Sequence, residues 1–492
     1  MGSSRGLSFL RPSLRSGLDP SLRLILRRHL RRSLWNGLRP GNPRTPGRAW
    51  LLLAATLVTV LQSGCRAESW PLWDQYASRY VDSQGRVLDR QDGDRQDGNR
   101  QAGDRQDGDK QGADRTTSEG QAYAMFFALA ANDRARFDHL LKWTEDNLAQ
   151  GDLTQRLPSW NWGKSADGQW KVLDANSASD ADLWMSYTLL EAGRLWKEPR
   201  YANLGRVMAA RIAQEEVATL PGFGPVVLPG PSGFHPSAAV WLVNPSYTPL
   251  PLLQRLATEL PDGPWAALAA HQSQLLRATS ANGFAMDWVE YNAMGAPGQQ
   301  WTPVALPAQA IKKGTAAQQP SGAVAGRRDD GLQEIGGGAE NAISAAAQAA
   351  AAQPDASGGV GSYDAIRVYL WAGMTDSATP QAKQCLAAIP GMAVYLSKQL
   401  LPPASVDARG AVVDAKGPIG FSAAVVPYLQ ALGMKREAAA QLERVAATRD
   451  AATGLYGRQQ FYYDQNLALF SLGYEEGRAR FDRDGKLKVK WK

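Results

Sequence analysis

Three short stretches of this chain set carboxylates among aromatic side chains. Glu119 lies in TTSEGQAY (116–123), Asp180 and Asp182 in ASDADLWMSY (178–187), and Asp364 in SYDAIRVYLW (362–371). Carboxylates amid apolar and aromatic neighbours are the groups that cleave a glycosidic bond. One acid protonates the leaving oxygen, and a second carboxylate activates water or attacks carbon. Each stretch also has a purely structural account. Thr116-x-x-Glu119 fits a helix capping box. Asp180 and Asp182 at a helix start, with Ser177 or Ser179 as cap, would complement the helix dipole. Asp364 after a Ser362 cap would pair with Arg367 at i+3. The recurrence of one arrangement three times favours chemistry. Glu119, desolvated beside Tyr123, suits an acid of raised pKa. Asp364 suits a base, with Tyr363 and Arg367 tuning or placing it. The chain holds 16 Trp; Trp160, Trp162, Trp288 and Trp371 are either core or flat platforms for sugar rings.

Other chemistries lack their residues. The four His, at 29, 139, 235 and 271, are scattered, and no His/Cys/Asp cluster has zinc spacing. There is no G-x-S-x-G elbow and no P-loop. The glycines near 336–338 and 358–361 sit in low-complexity sequence with no strand before them. No cofactor and no metal is expected.

The elements that must position these groups are read as helices. An aromatic face (Trp70, Trp73, Tyr76, Tyr80) marks a short one within 67–89. Others are expected from Thr116 to about Asn132 and over Phe137–Ala149. The start of the long element Asp174–Trp196 carries Asp180, and its Leu183, Tyr187 and Leu190 recur at helical spacing. Further helices are expected over Tyr201–Glu216, from Asn244-Pro-Ser-Tyr247 to about Glu259, and over Trp265–Ala278. After Asp364 come segments near 380–399, 418–432, 434–447 and 460–473. Residues 217–244 are rich in Gly and Pro and read as a long loop; the tail 478–492 reads as a short strand. Eleven or twelve helices with little strand make one helical domain, 67–492. Its two low-complexity insertions are the five-residue repeat at about 90–115 and the Ala/Gly/Gln/Pro stretch at about 296–361, both read as flexible. The Asp-Gly-Asp steps of the repeat lack the ligand pattern of a calcium loop.

The formal net charge is +7, yet residues 1–48 contain eleven Arg and a single acid, Asp19. The rest of the chain is therefore mildly acidic, and no basic patch points to nucleic acid. An Arg-rich arm, the apolar run Ala49–Leu61 and the small residues after it describe a secretory signal spanning about 49–66. The run is shorter than the roughly 20 residues of a spanning helix, so no stable membrane span is expected after cleavage. Periplasmic or secreted placement follows, with a lipid anchor at Cys65 as the less favoured alternative. The other cysteine is Cys385, so no disulfide framework is expected.

Four motifs, TSEGQAYAMFFALAANDR, ASDADLWMSYTLLEAGRLW, NPSY and SYDAIRVYLW, occur in the order found in glycoside hydrolase family 8. The chain resembles that family over most of 68–475, and within it the periplasmic cellulase encoded with bacterial cellulose synthase. The resemblance implies an all-α (α/α)6 barrel and an inverting endo-1,4-β-glucanase acting on cellulose, with the synthase complex as a partner. It implies Glu119 as proton donor and Asp364 as the base that activates water. Asp180 becomes the third carboxylate, described in the family as nucleophile or as holder of the distorted sugar; inversion favours the second. Tyr247 of NPSY falls near the base. Tyr123, Trp160, Trp162, Tyr247, Trp288, Tyr363 and Arg367 are the expected substrate contacts. An inverting pair is expected about 6.5–9.5 Å apart. The alternatives are the same fold acting on chitosan, xylan or mixed-linkage glucan, or a glucan-binding assembly factor of the synthase that needs no catalysis.

Overall fold

The structure, a computed structural model, describes residues 69–89, 115–305 and 360–492. The Arg-rich arm, the apolar run, Cys65, most of the repeat and residues 306–359 lie outside the described residues.

Hydrophobicity sorts the helices into two rings. Helices α2 (Ser118–Ala130), α4 (Ser179–Trp196), α8 (Ala365–Met374), α11 (Ile419–Ala431) and α13 (Tyr462–Glu475) are buried on nearly every side. α6 (Leu250–Glu259) buries Leu250, Leu252, Leu253 and Leu256. A helix that is apolar all round belongs inside. Each inner helix packs against an outer partner with one buried stripe: α3 (Arg134–Leu148), α5 (Pro199–Glu215), α7 (Trp265–Ala278), α9 (Ala382–Ala388) and α12 (Lys435–Ala447). α1 (Pro71–Tyr80) closes the ring by packing on α13, the last inner helix. The short α10 (Gly391–Leu396) follows α9. The result is an (α/α)6 barrel, with thirteen α-helices among the described residues.

Close approach between inner helices needs small residues. A Cβ at Gly373 on α8 would fall 2.1 Å from the backbone nitrogen of Tyr428 on α11, so only glycine lets these helices meet there. The barrel axis is filled by rings: Phe126, Trp184 and Phe470 meet at 4.8–5.4 Å, and Trp371 lies 4.9 Å from Phe470.

Far from the carboxylate end of α4, Glu191 is fully buried and accepts bonds from Arg194 and, at 2.6 Å, from Arg255 of α6. It also accepts the Leu487 N–H at 2.7 Å. That ties the C-terminal hairpin, β9 (Ala479–Phe481) and β10 (Leu487–Val489), to the barrel floor. The tail is thus two strands around a turn at Gly485, rather than one.

Most strand lies where loop was expected. Residues 217–244 contain β4 (Val217–Leu220) paired with β5 (Gly224–Val227), and β6 (Val240–Val243). β6 joins β7 (Val289–Asn292) and β8 (Trp301–Pro303) in one antiparallel sheet. β-Branched and aromatic residues such as Val217, Val226, Val227, Val240 and Trp241 suit these strands, but the surrounding Gly and Pro mask them. β8 also shows that the first residues of the second insertion are ordered. Arg115, the last residue of the repeat, likewise opens β1 (Arg115–Thr117), which pairs with β2 (Asn161–Lys164) and, through it, with β3 (Trp170–Asp174). Among the described residues, no helix is long and apolar enough to cross a membrane.

Candidate active site

Glu119 sits in the first turn of α2. The capping box does not form: Thr117 caps the helix by accepting from the Gly120 N–H at 3.3 Å. Thr116 instead belongs to β1 and donates to the Val87 carbonyl at 2.7 Å. The Glu119 carboxylate is thereby released from capping. Asp180 lies in the first turn of α4, where neither expected serine caps. Ser177 Oγ donates to Glu216 at 2.6 Å, and Ser179 Oγ has no hydrogen-bond partner. Asp364 is the N-cap residue of α8 but makes no side-chain capping bond. Asp287 does that work, accepting from the Ser362 N–H at 2.8 Å, the Ala365 N–H at 2.7 Å and the Ser362 hydroxyl at 2.5 Å. Ser362 is therefore a donor to Asp287 and no cap.

All three carboxylates converge on one guanidinium. Arg367 Nη1 donates to Glu119, to Asp180 at 3.2 Å and to the Tyr123 hydroxyl at 3.3 Å. Its Nη2 donates to Asp364 at 2.8 Å and to Ser246 Oγ at 3.0 Å. Glu119 and Asp364 thus bind opposite arms of one planar group. Asn244 Nδ2 holds the second oxygen of Asp364 at 3.0 Å. The side chains of Glu119 and Asp364 remain 21% and 24% exposed, whereas those of Asp180 and Arg367 are 6% and 2% exposed. The first two can therefore meet a ligand, while the second pair forms the wall behind them.

One cation faces three carboxylates, so full ionisation would leave uncompensated negative charge in a dry site. Burial pushes Glu119 up to about 7; Arg367 opposes this, and the neighbouring Asp180 and Asp364 add to it. Burial also raises Asp180, against Arg367. Glu119 can therefore carry a proton near neutral pH.

Aromatic groups flank the carboxylates. The Tyr247 ring lies 5.5 Å from the Arg367 guanidinium and edge-on to Trp288, which stacks on Phe234 at 5.9 Å. Trp160 lies on the other approach, beside Arg115 at 5.2 Å, and its carbonyl accepts the Ser118 N–H. Tyr363 packs against Phe421, and its carbonyl accepts the Tyr463 hydroxyl at 2.5 Å. The other two tryptophans read as core or platform both make packing contacts. Trp162 stacks on Trp170 at 5.1 Å and meets Trp143 edge-on and Arg86 at 4.9 Å. Trp371 is buried against Trp184 and Phe470, and its Nε1 donates to the Ser246 carbonyl at 3.1 Å.

Sequence reasoning missed Asp287 and Tyr463. Asp287 lies far along the chain from the helix it caps, and nothing local to it signals that partner. It is 4% exposed, and burial pushes it up to about 7, with Asp364 adding to the effect. Asn244 and Ser246 fall inside the quoted NPSY motif, but only Tyr247 was singled out there.

The family model for glycosyl hydrolases family 8 matches residues 48–311 and 339–477. The chain is 39% identical to an endoglucanase of Xanthomonas axonopodis pv. citri, over 91% of this chain and 94% of that protein. It is also 39% identical to an endoglucanase of Escherichia coli O157:H7, over 90% of this chain and 95% of that protein. Among solved structures, the endo-1,4-D-glucanase of Vibrio fischeri superposes with a TM-score of 0.63 at 31% identity, covering 86% of this chain and 99% of that one. Matches of this extent, joined to a barrel that gathers three carboxylates at the ends of its inner helices, place the chain in glycosyl hydrolase family 8.

Proposed function

We propose that this chain is an inverting endo-1,4-β-glucanase in which Glu119 is the proton donor and Asp364 the base. The observation that carries this reading is the shared guanidinium: Arg367 holds two part-exposed carboxylates on opposite arms, and burial raises one of them, Glu119, to about 7. Glu119, still protonated near neutrality, gives its proton to the glycosidic oxygen. Asp364, fixed through one oxygen by Arg367 and through the other by Asn244, takes a proton from water as that water attacks the anomeric carbon from the opposite face. The C–O bond to the leaving chain breaks as the new one forms, and no covalent intermediate arises. Buried Asp180, fixed by Arg367, is the third carboxylate and holds the distorted sugar at the cleavage point. Tyr123, Tyr247, Trp160, Trp288, Tyr363 and Arg367 shape and line the cleft.

The glucan specificity rests on the full-length likeness to endoglucanases. The leader 1–66 and the domain 67–492 fit an exported enzyme. We place it in the periplasm or outside the cell, acting on β-1,4-glucan beside a cellulose synthase complex. The test is reducing-sugar release from carboxymethyl cellulose, chitosan and xylan by wild type, Glu119→Gln and Asp364→Asn. Release from the cellulose derivative alone, lost in both variants, is the expected result. Release from chitosan or xylan instead overturns the substrate assignment, and activity surviving in either variant overturns that residue's role.

A further inference from the structure

Asp182 stands two residues after Asp180, about 200° around α4, so the two side chains leave the helix in different directions. Asp180 meets Arg367; Asp182 meets Glu216, the residue that ends α5. Both Asp182 and Glu216 are fully buried. Among the described residues, three of their four carboxyl oxygens, both of Asp182 and Oε2 of Glu216, have no hydrogen-bond donor within reach; the fourth takes the Ser177 hydroxyl at 2.6 Å, and that hydroxyl also bears on Asp182. The charged groups that bear on the pair are Asp180 and Glu215, both acidic. The contrast with Glu191 on the same helix is plain, since two arginines bind that carboxylate. Two ionised carboxylates have only lone pairs to offer each other. Side by side in a dry site they repel, and a proton between them turns repulsion into a hydrogen bond.

We propose that Asp182 and Glu216 share a proton, and that this protonated pair is a positioning device that fastens the Asp180 end of α4 to the end of α5. The surrounding backbone supports the role. The Ser179 N–H donates to the Pro229 carbonyl at 3.0 Å, and the Leu228 N–H donates to the Glu216 carbonyl at 2.7 Å. The start of α4, the end of α5 and the strand after it thus meet at one point, and the shared proton closes the joint. Burial pushes Glu216 up to about 8, with Glu215 and Asp180 adding to it and the hydrogen bonds from Ser177 and Asp182 opposing it; burial and the neighbouring Glu216 hold Asp182 well above the usual carboxylate range. The link to turnover rests on the role given to Asp180 above.

The test uses the full chain as wild type, Glu216→Gln, Asp182→Asn and Glu216→Ala. Unfolding free energy is measured by denaturant titration from about pH 5 to 9, and kcat and KM on a soluble cello-oligosaccharide. In wild type the shared proton is bound in the folded state and released on unfolding, so the pair contributes a fall in stability from the ordinary Glu range up to about 8. The amide of Glu216→Gln supplies an N–H where the proton stood. Its stability should therefore decline less steeply by about one proton over that window, with kcat retained near pH 6; Asp182→Asn should behave alike. Glu216→Ala leaves Asp182 without a partner and should lose at least tenfold in kcat with a smaller change in KM. An unchanged pH slope in both amide variants overturns the shared proton, and full kcat in a folded Glu216→Ala overturns the positioning role. If Glu216→Ala does not fold, a kcat retained in Glu216→Gln that falls together with its amide contact in Glu216→Gln/Asp182→Ala supports the role, and an unchanged kcat overturns it. A wild type inactive on every glucan would sink the endoglucanase reading while leaving the stability result to judge the proton.

Discussion

At the scale of single residues, the site is decided by which carboxylate keeps a proton. Glu119 and Asp364 share a cation, yet burial lifts Glu119 to about 7. Activity that needs Glu119 protonated should therefore fall as pH rises through about 7, and the alkaline limb of kcat/KM should show it. Removing the acid in Glu119→Gln should cost about 10²–10⁴-fold in kcat on an unactivated glucan, and far less on an aryl glycoside whose leaving group needs no proton. Arg367→Met removes the only cation among the described residues that is bound to all three carboxylates. The variant should lose kcat, and the apparent pKa of Glu119 should rise, because Arg367 now opposes the shift. An unmoved alkaline limb in a folded Arg367→Met would count against the shared-cation account. The three carboxylates were legible in the sequence because each sits at a helix start beside aromatic residues. The convergence on Arg367 was not, since that residue also fits a plain i+3 partner of Asp364.

Among the elements, capping explains which groups are free to react. α8 begins with Asp364 in the cap position, but Asp287 receives the two N–H groups there. Asp287→Ala should destabilise the fold by about 1–2 kcal/mol, as loss of a cap does, and should lower kcat by letting Asp364 turn toward the exposed N–H groups. Asp287→Asn, which keeps an acceptor, should recover most of both; equal losses in the two variants would show that the cap is not what matters. The helices themselves were readable from periodicity, most of them to within a few residues. The strands between 217 and 244 were not, because runs of four residues between glycines and prolines carry too little pattern. The caps were misassigned at all three carboxylates for one reason: a serine or threonine near a helix start is a local signal, whereas Asp287, Glu216 and the Val87 carbonyl claim those groups from afar.

For the whole molecule, buried acid gathers at the starts of inner helices and at the end of α5, and a buried ion cluster lies near the floor. Glu119, Asp287 and Asp464 are each raised to about 7, and Glu216 to about 8, chiefly by burial. Each binds its proton more tightly folded than unfolded. Stability should therefore decline from the ordinary carboxylate range near pH 4 up to about pH 8, and chemical denaturation across that window should show the fall; a rise would mean these groups are not protonated in the fold. At the floor, Glu191→Ala leaves Arg255, which is 4% exposed, with Glu259 as its remaining carboxylate, and should cost about 3 kcal/mol, the low end for a broken buried pair, while leaving kcat of the folded fraction near wild type. The architecture was legible because apolar helices alternate with amphipathic ones. The hairpin at the C-terminus was not, since its anchor, Glu191, lies nearly 300 residues away.

The measurement that tests the central claim most directly is proton NMR of the anomer released first from a cello-oligosaccharide. A water held by Asp364 and attacking opposite the bond that Glu119 protonates must give the α-anomer first, with the β-anomer appearing only by mutarotation. A β-anomer as first product would mean retention through a covalent intermediate, and would contradict the roles assigned to Glu119, Asp364 and Asp180 together.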